Sequence, residues 1–98
     1  MHIREFQKMM KQLYIHKDSV RGVKGTYEWL MEEVGELRTA LDARDMEAAE
    51  KEFADVLAWL ASLANIVKID LEKAAIKKYG GKCPKCQQSP CKCPFLVK

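Results

Sequence analysis

Apolar residues recur at helical spacing through most of this 98-residue chain. Ile3, Phe6, Met9, Met10, Leu13 and Tyr14 step by three and four, which predicts a helix over about 3–16. Residues 17–25, Lys-Asp-Ser-Val-Arg-Gly-Val-Lys-Gly, hold two glycines and no period, and read as a loop. Thr26 is a candidate N-cap for a second helix, about 26–43, with Tyr27, Leu30, Met31, Val34, Leu37 and Leu41 on one face. A break near Ala43-Arg44-Asp45 follows, and Asp45 can cap a third helix reaching about 67. That helix is expected to bury Ala49, Phe53, Val56, Leu60, Leu63, Ala64 and Val67. Asp70 caps a fourth, Leu71 to Tyr79, which Gly80-Gly81 ends. No segment alternates with a period of two, so the fold class is all-α.

Two acidic runs lie beside these apolar stripes: Glu32-Glu33-Val34-Gly35-Glu36 and Glu52-Phe53-Ala54-Asp55. At about 100° per residue, Trp29, Glu33, Glu36 and Ala40 form one flanking stripe, and Glu52, Asp55 and Trp59 another. Glu32 falls further round, towards solvent. A short connection makes the two helices antiparallel neighbours. A hairpin folded about residue 44 sets the 33/36 pair opposite 52/55 and brings Trp29 level with Trp59. Carboxylates gathered this closely repel unless protonated or neutralised by a cation. An oxygen-only ligand set suits Mg²⁺ or Mn²⁺ better than Zn²⁺. A di-iron bundle wants Glu-x-x-His pairs, whereas the only histidines, His2 and His16, lie outside both runs.

Ninety-eight residues bound the chain to one core, and a chain this short gains from oligomerisation. No apolar run reaches about 18 residues, and the start of the chain lacks a signal-peptide core. The expected location is cytoplasmic, with no membrane partner. The net charge of +3 is unevenly spread. Residues 1–24 carry six Lys/Arg against two acids, residues 25–72 four against twelve, and residues 73–98 seven against none. An acidic middle between basic ends suits a metal site that also holds phosphates, though a solvated acidic hairpin with a basic tail has the same pattern.

All four cysteines, Cys83, Cys86, Cys91 and Cys93, fall in one C-x2-C-x4-C-x-C run. Clustering of this kind in a cytosolic chain favours metal over disulfides. The Cys-Pro-Lys-Cys opening resembles a zinc knuckle, and four thiolates can supply a tetrahedral Zn²⁺ site. An iron–sulfur site and a reduced, disordered tail are the other readings. The expected organisation is a helical domain over 1–81 and a Cys-rich tail over 82–98.

Glu32-Glu33-x-x-Glu36 followed by Glu52-x-x-Asp55 resembles the paired motif of the MazG-like nucleoside triphosphate pyrophosphohydrolases. Trp29-Leu30-Met31, Phe53-Ala54, Leu63-Ala64-Asn65 and Ile69-Asp70-Leu71-Glu72 agree with it, and the likeness covers about residues 1–80. The resemblance implies an all-α bundle completed by oligomerisation, as homodimer or homotetramer. It implies hydrolysis of a nucleoside triphosphate to the monophosphate and pyrophosphate, by attack between the α and β phosphates. Glu33, Glu36, Glu52 and Asp55 then fall on metal-ligand positions, and Glu32 on the acid that orients or deprotonates the attacking water. Trp29 and Trp59 are candidates to stack on a base, and Lys73, Lys77 and Lys78 to reach the triphosphate. Packing and solvation are the alternatives for these side chains.

A sister group, the phosphoribosyl-ATP pyrophosphohydrolases, shows Tyr-His shortly after the second motif, where this chain has Ala58-Trp59. A non-catalytic zinc-containing module that binds nucleic acid or protein is the alternative from another class. On the favoured reading nucleic acid is not a partner. The Cys-containing tail from 83 onward is not part of the common MazG pattern.

Overall fold

A computed structural model describes residues 1–95 and contains three helical elements: α1 (Ile3–Asp42), α2 (Met46–Ile66) and α3 (Leu71–Lys78). No strand occurs among the described residues. The break between α1 and α2 lies where Arg44 adopts φ 55°. The Arg44 amide donates to Leu41 O and the Asp45 amide to Ala40 O, both at 3.0 Å, so two carbonyls of the last turn find partners. The Asp45 carboxylate then accepts from the Ala48 amide at 3.0 Å and starts α2. The end of α2 repeats the device: Lys68 has φ 61°, and the Ile69 amide donates to Ala64 O at 3.0 Å. Asp70 caps α3 through the Lys73 amide at 3.0 Å.

Residues 17–25 are helical rather than a loop, with one exception. Gly22 sits at φ 79°, ψ 178°, and kinks α1. That conformation is open to glycine and strained for residues with a Cβ. The kink is held from within. Arg21 Nη1 donates to Asp18 Oδ1 at 2.7 Å and to Thr26 Oγ1 at 3.4 Å, bridging the two arms. Thr26, expected as an N-cap, is instead fully buried inside the second arm. Gly25 makes room for the bridge, since a Cβ there would stand 2.8 Å from Arg21 Cγ.

The α1–α2 hairpin carries the core, which is built largely of small side chains: Ala40, Ala49, Ala61 and Ala64, with Met10 and Leu30. Alanines let the helices approach closely, and they leave the bulky residues elsewhere. Phe53, Leu60 and Val67, expected in the core, are 57%, 40% and 45% exposed. Tyr27, Met31, Val34 and Leu41 of α1 are exposed as well. The physical reason is geometric. A helix in a two-helix contact buries one narrow face, and these residues occupy the adjoining one.

Candidate functional site

The acidic runs meet as the hairpin register requires. Trp29 stacks on Trp59 with ring centroids 5.6 Å apart and planes 11° from parallel. Beside them, Glu33 and Glu36 of α1 and Glu52 of α2 each bring a carboxylate oxygen within 4.8 Å of the other two. Asp55, one turn along α2 from Glu52, adds its repulsion to Glu33 and lines the neighbouring cleft. Glu32 stands exposed on α1, outside the cluster.

Glu33 and Glu52 are half-buried, and each holds one oxygen, Oε2, that is buried and finds no hydrogen-bond partner among the described residues. Burial, together with Glu36, Glu52 and Asp55, pushes the Glu33 carboxyl up to about 7. A carboxylate set with orphaned buried oxygens is costly by itself. A hard divalent cation would supply the missing partner, so the residues fit Mg²⁺ or Mn²⁺.

A cleft of about 300 Å³ opens next to this cluster, lined by Tyr14, Lys17, Asp18, Arg21, Asp55, Ala58, Trp59 and Ser62. Asp18 is 2% exposed, with its Oδ2 buried and unpartnered among the described residues. The Arg21 guanidinium lies 4.6 Å from the Trp59 ring centroid, close enough for a cation–π contact. Trp59 therefore lines the cleft with much of its ring already engaged by Trp29 and Arg21. Lys17, Asp18 and Arg21 escaped the sequence reading because residues 17–25 read as a loop, and Tyr14 reads in sequence only as an apolar position of the first helix. Continuing the helix at steps of three and four from Tyr14 would have put Lys17, Asp18 and Arg21 on one face.

Lys73 and Lys77 are exposed on α3; neither lines the cleft nor belongs to the carboxylate cluster. Lys78 lies over Tyr79, 5.7 Å from its ring centroid. Arg4 anchors α3 through Asp70 at 2.8 Å and Glu72 at 3.2 Å. Asn65 is engaged in packing: its amide exchanges hydrogen bonds with Gln7. His16 is exposed.

Beyond α3, Cys83, Cys86, Cys91 and Cys93 bring their sulfurs within 4.8 Å of one another. Hydrogen bonding from the Lys92 amide holds the Cys86 thiol down to about 6, while the Cys91 thiol pushes Cys93 up to about 12. Four sulfurs this close cannot all ionise without a cation among them.

No described helix is long and apolar enough to cross a membrane. No curated protein matches the chain. The family profile of the MazG nucleotide pyrophosphohydrolase domain matches residues 21–87, from the Gly22 kink through the acidic hairpin to the first two cysteines. With more than half of the chain matched, and with the profile spanning both acidic runs, the chain belongs to the MazG nucleotide pyrophosphohydrolase family.

Proposed function

We propose that this chain hydrolyses a nucleoside triphosphate to the monophosphate and pyrophosphate, with Mg²⁺ or Mn²⁺ held by Glu33, Glu36, Glu52 and Asp55. One observation carries the reading. Two carboxylates keep an oxygen buried and unpartnered among the described residues where Glu36 joins them, and Asp55, one turn from Glu52, lines a cleft of about 300 Å³. A bound divalent cation lowers the pKa of the attacking water and neutralises phosphate oxygens.

Water adds to the α-phosphorus, the bond to the oxygen bridging α and β breaks, and pyrophosphate leaves with that oxygen. Glu32, exposed beside the cluster, receives the proton of the water. The nucleoside lies in the cleft against Trp59, where Asp18, Lys17 and Arg21 meet its polar edges. Lys73 and Lys77 approach the phosphates only if another copy brings them there.

The chain works as a homodimer or homotetramer, because Phe53, Leu60 and Val67 offer an apolar stripe that one chain leaves uncovered. Its working compartment on this reading is the cytoplasm, where the triphosphate pool lies. The helical unit over 1–81 carries the chemistry; the tail over 82–98, whose first residues fall within the family match and whose last three lie outside the described ones, takes no part in it.

The test is a panel of canonical and damaged nucleoside triphosphates with Mg²⁺, scored separately for pyrophosphate and orthophosphate, with phosphoribosyl-ATP run beside them. Pyrophosphate from one or more triphosphates is the expected result. Turnover confined to phosphoribosyl-ATP, or orthophosphate alone, would replace this assignment.

A further inference from the structure

The tail has almost no means of ordering itself by burial. Among the described residues after α3 there is no helix or strand, and Phe95 is 98% exposed. Yet four cysteine sulfurs converge there. Cys83 Sγ lies 3.9 Å from Cys93 Sγ, and Cys86 Sγ lies 3.8 Å from Cys91 Sγ. Four thiolates at about 2.3 Å from one zinc ion form a tetrahedron whose sulfur–sulfur edges are about 3.8 Å. Both measured pairs fall on that edge length. They pair the first cysteine with the last and the second with the third, so the two halves of the run close over one centre.

The backbone is arranged for thiolates. The Lys92 amide donates to Cys86 Sγ and the Cys93 amide to Cys91 Sγ, each at 3.3 Å. Amide donors of this kind offset the negative charge of ligating sulfur and fix its direction. The first pair sits in a tight loop in which the Gln87 amide donates to Cys83 O at 2.8 Å and the Cys83 amide to Gln88 O at 3.0 Å. Gln87 takes φ 63° to close it. Lys82, Lys85 and Lys92 surround the run and compensate the net charge of a tetrathiolate–zinc unit.

We infer that Cys83, Cys86, Cys91 and Cys93 hold one structural Zn²⁺ per chain, in a centre separate from the carboxylate site. Soft sulfur donors select zinc over Mg²⁺, and carboxylate oxygens select the reverse, so each centre keeps its own ion. All four positions are taken by protein thiolates. No coordination position is left for water or substrate, and the centre orders the tail instead of taking part in catalysis.

The experiment uses the full chain purified without added metal or chelator. Elemental analysis is expected to give about one zinc per chain, and replacement by Co²⁺ to give the intense thiolate charge-transfer bands and visible spectrum of a tetrahedral sulfur site. The double variant Cys86→Ser, Cys91→Ser is expected to lose the zinc and the cobalt spectrum, with unchanged helical circular dichroism and retained pyrophosphate release. A Glu36→Gln variant is expected to keep its zinc. Zinc-free protein that takes up no Co²⁺, iron in place of zinc, or full zinc content in the cysteine variant would each overturn the inference.

Discussion

Gln7 and Asn65 exchange hydrogen bonds across 58 positions of sequence. Gln7 Nε2 donates to Asn65 Oδ1 at 3.1 Å, and Asn65 Nδ2 returns a bond to the Gln7 carbonyl oxygen at 3.1 Å. The same Gln7 amide group donates to Ile69 O at 2.7 Å and accepts from the Leu71 amide at 2.9 Å. One buried side chain therefore ties the start of α1 to the end of α2 and the entry of α3. Gln7→Ala leaves those groups unpartnered and should lower stability by about 1–3 kcal/mol. Urea denaturation checks it; a variant that unfolds at the wild-type midpoint would show that water replaces the network freely.

Replacing Glu36 by Gln or Asp55 by Asn removes the charge of a proposed metal ligand while keeping shape. Pyrophosphate release should fall by roughly a hundred- to a thousandfold, the scale of losing one charge-stabilising group in a transition state. Circular dichroism and melting temperature should stay near wild type. Wild-type turnover in both variants would refute the assignment of the carboxylates.

The metal-free chain should lose stability as pH rises from about 4.5 to about 7. The Glu33 carboxyl titrates higher in the folded chain than its ordinary value, so over that window the folded state binds more protons than the unfolded one. Stability from this group is fully present below the lower value and gone above the higher. Thermal melts in chelator should show the decline. Glu33→Gln should flatten it, and excess Mg²⁺ should reverse it at neutral pH. A stability that climbs across this window would contradict the clustering of acids.

Phe53→Lys should shift the chain to a smaller species in light scattering. Phe53 lies on the exposed apolar stripe with Leu60 and Val67, and a charge there cannot be buried unpaired. Retained wild-type mass would mean that the stripe is no subunit contact.

Gly22→Ala should destabilise by about 1–3 kcal/mol, because no side chain obstructs a Cβ there yet the backbone at φ 79° disfavours one. Equilibrium unfolding decides; a neutral effect would mean that the arms straighten at no cost.

Much of this was legible because two periodicities and one short turn are stiff constraints. Trp29 and Trp59, equidistant from residue 44, meet once the hairpin closes, and the acids one turn away must follow them. The span 17–25 misled because Gly22 and Gly25 look alike in sequence. Only Gly22 leaves the helical conformation; Gly25 serves close packing against Arg21. Asp18 and Arg21 went unseen for that reason. Phe53, Leu60 and Val67 are apolar at helical spacing, and spacing alone does not distinguish a face turned to the same chain from one turned outward.

The indole pair has a practical consequence. Two stacked rings couple their electronic transitions, so Trp29 and Trp59 should give a paired-sign band in near-ultraviolet circular dichroism and mutually quenched fluorescence. They sit about one helical turn from the carboxylates, and the Arg21 guanidinium lies against one of them. A cation drawing Glu33 and Glu52 together, or a base pressing on Trp59, would alter that coupling. On the proposed reading, the indole pair would serve as an optical gauge of site occupancy, readable without label or turnover.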